Sequence, residues 1–305
     1  MTPRILLTGA AGFVGSNFAA VFTERHGAEL VTPSHAELDL RDREGVGARV
    51  AAAAPSAIVH AAIWNDPAGL RSNRRLAWDS YVEATRNLVD AANAAGAQIV
   101  LISTDWVFDG TQGPAQEDAP PNPINTYGFL KAMSEQVVRD RAERGTVARL
   151  SGVQGIPRAR PDLPRSQDAG FGYLVASLVR ELSAGRPFTL WDGPGLNLLA
   201  TPTLATDAGE LVWRAVEREV TGTLHCCGAD HVHRADLARR ACALYGLDAS
   251  LLRTGPPPAG ALGREPVPVD TRLASVATAE RLGISGVDLD TMLARLGREL
   301  ATSAA

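Results

Sequence analysis

The sequence is short of the features that mark several large protein classes. Only three cysteines, Cys226, Cys227 and Cys242, occur among 305 residues. They are too few for a disulfide framework and lack paired metal-ligand spacing. No uninterrupted apolar run approaches the roughly 18 residues that a membrane span needs. Neither sign of charge dominates, since 30 Lys and Arg face 34 Asp and Glu for a net charge of −4. That balance supplies no electrostatic pull toward nucleic acid or an anionic membrane. Met1-Thr2-Pro3-Arg4 runs straight into an apolar strand pattern rather than a signal peptide. Apolar residues make up 45% of the chain, enough for a packed core, which excludes global disorder. A soluble, cytoplasmic globular protein is expected, with neither nucleic acid nor membrane as partner.

Strand-like and helix-like stretches alternate through the first half, the pattern of a parallel sheet with crossover helices. Strands are predicted at 4–8, 29–32, 57–60, 98–102 and 147–150. Helical spacing covers 15–25, 45–54, 76–95 and 126–144, and Gly96 stops the third of these. Residues 156–169, rich in Pro, Arg and Asp, read as a surface loop or lid. Beyond it, helices are predicted over 171–184, 204–220, 234–245 and 288–301, with short strands at 188–191 and 223–227. The expected fold is α/β. A doubly wound, Rossmann-type parallel sheet occupies residues 1–155, and a smaller α/β cap occupies 156–305, with some cap segments returning to the first half.

Three stretches carry chemistry. Thr8-Gly9-Ala10-Ala11-Gly12-Phe13-Val14-Gly15 lies directly between a predicted strand and a predicted helix. Glycines there let backbone N–H groups approach phosphate oxygens, and the helix N-terminus adds its positive dipole end. Tyr127 and Lys131 stand four apart on one helix face. A lysine ammonium beside a tyrosine favours phenolate and lowers its pKa, which suits proton donation to a carbonyl oxygen as hydride reaches its carbon. The plainer alternative is a half-buried helix tyrosine and a solvated lysine. Ser103-Thr104-Asp105 ends a strand, where parallel sheets present functional groups, although Ser103 and Thr104 would also serve as loop caps.

The Gly9-x-x-Gly12-x-x-Gly15 spacing, with Tyr127-x-x-x-Lys131 downstream, resembles the extended branch of the short-chain dehydrogenase/reductase superfamily. Ser103-Thr104-Asp105-Trp106-Val107-Phe108 closely resembles the Ser-Thr-Asp-Tyr-Val-Phe segment of the dTDP-4-dehydrorhamnose reductase family. The resemblance implies a cofactor cradle of Gly9, Gly12, Phe13, Val14 and Gly15. It sets Asp39 and Leu40 against the adenine, with Ala61, Ala62 and Ile63 after His60 beside the cofactor. It makes Thr104, Tyr127 and Lys131 catalytic, the latter two also touching cofactor. Thr104, Asp105 and Trp106 would face the sugar. The implied activity is NAD(P)H-dependent reduction of a nucleotide-activated 4-keto-6-deoxy sugar. Its rivals are a sugar-nucleotide epimerase or dehydratase and a non-catalytic NADP-binding regulatory subunit. A homodimer is an allowed assembly.

Departures from that family are equally readable. Trp106 replaces a tyrosine, Gly152 stands where a sugar-stacking tryptophan is expected, and Tyr81 replaces a helix asparagine. The first two reshape the sugar pocket, and the third requires another proton route. NADPH is expected to be preferred modestly, with NADH accepted. No carboxylate precedes Glu37 after the second strand, and Ser34, His35 and Arg41 are candidate donors to a 2′-phosphate. No metal is expected at His231-x-His233. Cys226 and Cys227 read as core, as do Trp64, Trp191 and Trp213.

Overall fold

The computed structural model describes residues 3–159 and 166–303. The first crossover shows why these residues fold as they do. In β1 (Arg4–Thr8), Ile5, Leu6 and Leu7 are fully buried, and Gly9 at φ +75° ends the strand. The chain then enters α1 (Phe13–Ala20), continues through a π turn at Val21–Arg25, and reaches β2 (Glu29–Val31). α2 (Arg43–Ala53) and β3 (Ala57–His60) follow. α3 (Pro67–Ser72) starts on Asp66, whose side chain accepts from Gly69 N, with Pro67 at the first helical position. α4 (Arg74–Trp78) runs through a π turn into α5 (Ala84–Ala95), which Gly96 closes at φ +65°. β4 (Gln98–Thr104), α6 (Thr126–Arg141) and β5 (Gly145–Leu150) complete the first half.

After residue 166 come α7 (Leu174–Ser183), β6 (Phe188–Trp191), β7 (Leu199–Ala200), α8 (Ala205–Glu217) and β8 (Gly222–His225). β9 (Val232–His233), α9 (Arg234–Tyr245), β10 (Leu252–Gly255), α10 (Val276–Leu282) and α11 (Leu289–Ser303) end the chain. Six strands form one parallel sheet in the order β2-β1-β3-β4-β5-β8. Its four central strands, β1, β3, β4 and β5, are buried on both faces, as parallel strands between helical layers must be. Ile5, Leu7, Val100 and Ile102 pack toward α1 and α8, while Leu6, Ile99 and Leu101 pack toward α2, α5 and α6. The order reverses between β1 and β3, so the loops leaving these two neighbours diverge and open a crevice.

β8 supplies the sixth strand, and α8 buries Ala208, Leu211 and Val212 against Phe18 and Phe22. Residues 205–225 thus belong spatially to the sheet. A second core gathers Leu174, Leu178, Phe188, Leu237, Leu293 and Leu296 around the pairs β6–β10 and β7–β9. Residues 156–159 and 166–169 of the expected loop form neither helix nor strand, and one side chain among them is anchored inside. Gln167 is buried, and the buried Arg234 donates to Gln167 Oε1 (3.1 Å), Asp168 O (2.8 Å) and Gly170 O. Residues 160–165 of that loop lie outside the described residues. No helix among the described residues is long and apolar enough to cross a membrane.

Candidate active site

The turn after β1 is built for close approach. A Cβ on Gly9 would lie 2.6 Å from Ala62 N, and one on Gly15 would lie 2.2 Å from Gly9 O. Only glycine fits at either position, so β1, α1 and the loop after β3 meet tightly. Gly12 N donates to Gly9 O at 2.9 Å. Exposed Gly12 caps α1 with no side-chain hydrogen bond and no acid in the first turn, which leaves the helix's positive end open to an anion. This cradle fits the pyrophosphate of a dinucleotide. Phe13 and Val14 are half-buried beside it, the Phe13 ring 4.6 Å from that of Tyr173.

Across the crevice, Thr8 Oγ1 and His60 Nδ1 lie 2.8 Å apart and tie the ends of β1 and β3. Burial, aided by the Lys131 charge, pushes His60 down to about 3, so its ring is neutral. Ala61 and Ala62 are half-buried at this edge, and Ile63 is 42% exposed. The exit of β2 differs from expectation. Glu37 turns back and accepts from Ser34 N and Ser34 Oγ, both at 2.8 Å. Arg41 forks onto Asp39, with Nε–Oδ1 at 2.9 Å and Nη2–Oδ2 at 2.6 Å. The Arg41 hydrogen bonds hold Asp39 down at about 2. Leu40 O accepts from Asn87 Nδ2 at 3.0 Å. Two of the three expected 2′-phosphate donors, Ser34 and Arg41, are therefore already engaged by the carboxylates of Glu37 and Asp39.

β4 runs two residues beyond its predicted end and delivers Thr104, 8% exposed, to the rim of the sheet. Thr104 Oγ1 donates to Asp105 Oδ1 (3.1 Å) and accepts from Trp106 N (3.2 Å). α6 starts on Asn125, whose Oδ1 accepts from Gly128 N at 2.8 Å, so Tyr127 sits in its first turn. A Cβ on Gly128 would lie 2.1 Å from Trp106 O. Glycine there lets α6 close on the β4 exit and brings Tyr127 to Thr104. The Tyr127 ring meets Trp106 and Tyr81 edge-on, each at 6.3 Å.

The Tyr127 acidity runs opposite to expectation. Burial pushes its phenol up to about 12, the Asp105 charge adds to the rise, and a hydrogen bond with the Thr104 side chain opposes it. Lys131 does not reverse this, because its ammonium turns to β4, where Nζ donates to Ile102 O at 2.8 Å, 5.6 Å from the Tyr81 ring centroid. Burial brings Lys131 itself down to about 8, with Glu135 pulling the other way. Glu135 is fully buried against Arg149, at 3.0 Å (Nε–Oε1) and 2.8 Å (Nη2–Oε2), and accepts from Ser103 Oγ at 2.6 Å. Sequence reading missed this pair, although Glu135 follows Lys131 by one helical turn.

Asp105 is 4% exposed and turned inward, where Ser151 Oγ (2.8 Å) and Thr271 Oγ1 (2.6 Å) donate to Oδ2. Burial nevertheless pushes it up to about 6. Trp106 is half-buried beside Tyr127. Gly152 adopts φ +52°, and a Cβ would meet Pro202 Cα at 3.1 Å, so the backbone here disfavours any side chain. The buried Tyr81 hydroxyl donates to Trp64 O at 3.2 Å. His233 caps α9, its Nδ1 accepting from Ala235 N at 3.1 Å, and His231 Nδ1 lies 3.1 Å from Thr201 Oγ1. No cluster of three metal-ligating side chains occurs among the described residues. Cys226 and Cys227 are buried and free, their thiols pushed up by burial.

A parallel sheet whose order reverses at a glycine turn, with threonine, tyrosine and lysine gathered at the strand ends, defines an extended short-chain dehydrogenase/reductase. Residues 3–300 match the RmlD substrate binding domain family, and the chain belongs to it. It is 34% identical over 158 residues to methionine adenosyltransferase 2 subunit beta of Xenopus tropicalis, covering 50% of this chain and 47% of that one. It is 33% identical over 155 residues to dTDP-4-dehydrorhamnose reductase of Streptomyces griseus, covering 50% and 51%. Each match spans about half of the relative's length. The fold resembles dTDP-4-dehydrorhamnose reductase of Bacillus anthracis in complex with NADP, with a TM-score of 0.81 at 20% identity over 98% of this chain and 100% of that one.

Proposed function

We propose that the protein reduces the 4-keto group of a nucleotide-activated 6-deoxy sugar, using NADPH with NADH also accepted. The observation that carries this reading is the convergence of Thr104 and Tyr127 at the β4 exit, with Tyr127 held as a protonated acid. A bound nicotinamide dinucleotide supplies hydride to the keto carbon. The turn from Gly9 to Gly15 holds the pyrophosphate, and Ala61, Ala62 and Ile63 border the nicotinamide side. Asp39 and Leu40 line the adenine end. Tyr127 gives its proton to the carbonyl oxygen as negative charge builds there, and a phenol with a raised pKa keeps that proton until an alkoxide demands it. Thr104 orients the reacting oxygen together with Tyr127. Lys131 fixes the approach of α6 to β4 and contributes positive charge.

A non-catalytic regulatory role has one observation in its favour, the match to the methionine adenosyltransferase subunit at similar identity and length. Such a role does not require Lys131 to be buried one helical turn from a shielded phenol. The discriminating experiment offers the purified protein a panel of 4-keto sugar nucleotides with each reduced cofactor. Substrate-dependent cofactor oxidation, with the cofactor's deuteride recovered at C4 of the product, is expected. Tight cofactor binding without oxidation by any member would favour the regulatory reading.

A further inference from the structure

We infer that Tyr173 is a positioning residue for the cofactor cradle, an aromatic latch carried by the cap that holds Phe13 at the mouth of the glycine turn. The inference rests on the dinucleotide reading of that turn and not on the chemistry of the reduction. Among the described residues, three that are not glycine adopt positive φ, namely Ala54, Tyr173 and Glu219. Ala54 caps the C-terminus of α2 and Glu219 follows α8, where the left-handed conformation is an ordinary way to end a helix. Tyr173 instead stands at the start of α7, at φ +56° and ψ +10°, and its side chain makes no capping hydrogen bond. A helix start favours extended backbone and a small polar side chain, so tyrosine is unfavourable there on both counts. Such a conformation persists only where its surroundings impose it and the side chain returns something elsewhere.

What the Tyr173 ring meets is Phe13. The ring centroids lie 4.6 Å apart, tilted by 38°, and Tyr173 is 6% exposed. Its position is fixed from the cap side. Phe171 and Leu174 are buried in the second core, Phe171 O accepts from Gln154 Nε2, and Gln154 Oε1 accepts from Val175 N at 3.2 Å. Phe13 is the first residue of α1, directly after Gly12, so its conformation helps set where the unpaired N–H groups of the first turn point. Its carbonyl accepts from Asn17 Nδ2 at 2.8 Å, and the same nitrogen donates to Ile156 O at 2.9 Å. A Cβ on Gly155 would meet the Phe13 ring at 3.4 Å, so the chain leaving β5 lies against the ring as well. The turn that carries Tyr173 also reaches the other half of the site, since a Cβ on Gly170 would lie 3.3 Å from Trp106 Cζ2. Residues 170–173 thereby brace the phosphate helix at one end and the tryptophan beside Tyr127 at the other. Loss of the Tyr173 ring frees Phe13 and loosens the helical turn that a pyrophosphate needs preorganised.

Calorimetry with NADP⁺ on wild type, Tyr173→Leu, Tyr173→Phe, Phe13→Leu and the double Leu variant tests this without any sugar substrate. Tyr173→Leu should raise the NADP⁺ Kd about 3–10-fold, the worth of one aromatic pair, and Tyr173→Phe should leave it within about twofold. In the Phe13→Leu background, Tyr173→Leu should cost no more than about twofold further, because two halves of one latch are not additive. A merely structural Tyr173 lowers the melting temperature and leaves Kd unmoved, which overturns the inference. Independent, multiplying losses in the double variant overturn it too. Should Tyr173→Leu fail to fold, amide hydrogen exchange on wild type decides: NADP⁺ should slow exchange across residues 173–177, and unchanged exchange there overturns the latch. Wild type that binds neither NADP⁺ nor NADPH removes the dinucleotide reading and the latch with it. A Kd shifted by Tyr173→Leu, in a protein inert toward every 4-keto sugar nucleotide, leaves the latch standing and removes the reductase reading.

Discussion

At Lys131 two forces oppose each other, burial that discharges the ammonium and the Glu135 carboxylate that retains it. Burial wins and brings the group from its ordinary value near 10.4 down to about 8. An unfolded chain keeps that proton to higher pH than the folded one, so this group's cost to folding is full below about 8 and eases as pH rises toward 10. Activity has the opposite sign, because the ammonium is what Lys131 contributes. We predict that kcat/KM falls as pH rises through about 8, and that Lys131→Met is slow at every pH and lacks this limb; a flat wild-type profile to pH 9 contradicts it. At the β2 exit, Glu37 occupies the Ser34 hydroxyl that a 2′-phosphate would use. Glu37→Gln should raise the ratio of kcat/KM with NADPH to that with NADH, and steady-state kinetics with both cofactors read the change.

What the sequence showed at this scale was identity rather than environment. Tyr127 and Lys131 were legible from spacing and Thr104 from its place at a strand end, and the structure brings Thr104 to Tyr127. The direction of the Tyr127 shift was not, because it depends on burial and on where the Lys131 ammonium points. Glu37 bending back to Ser34 was equally hidden, since a three-residue separation in a turn does not fix a side chain's partner. The Asp105 partners lie 46 and 166 residues away, beyond any local pattern.

Among the elements, α6 depends on one small residue. Trp106 O occupies the space that a Gly128 side chain would need. Gly128→Ala should push α6 off the β4 exit and separate Tyr127 from Thr104. A displacement of about 1 Å is enough to cost on the order of 10²-fold in rate. The expected result is a large loss of kcat with cofactor affinity, measured by calorimetry, little changed, because the β1 turn is untouched. The strands of the first half were legible because runs such as Gln98–Thr104 are apolar on both faces and bounded by turns. β7 and β9, two residues each, carry no periodicity and exist through long-range pairing, with each other and, for β7, with the segment around Asp270. α3 was missed although Asp66-Pro67 is a helix-start signal.

In the whole molecule, the sheet and the cap are joined by chain that passes between them more than once. α8 and β8 come from the second half yet build the first core, so a boundary drawn at residue 155 divides the sequence better than it divides the structure. This interleaving places the β4 exit, the glycine turn and the Thr271 segment within one connected body. The central claim is that this body delivers a proton from Tyr127 to a keto oxygen as hydride arrives. The most direct test compares wild type with Tyr127→Phe on one 4-keto sugar nucleotide under saturating reduced cofactor. Loss of the phenolic proton should lower kcat by about 10²–10⁴-fold while the cofactor Kd stays unchanged. Wild-type turnover by Tyr127→Phe would contradict the account.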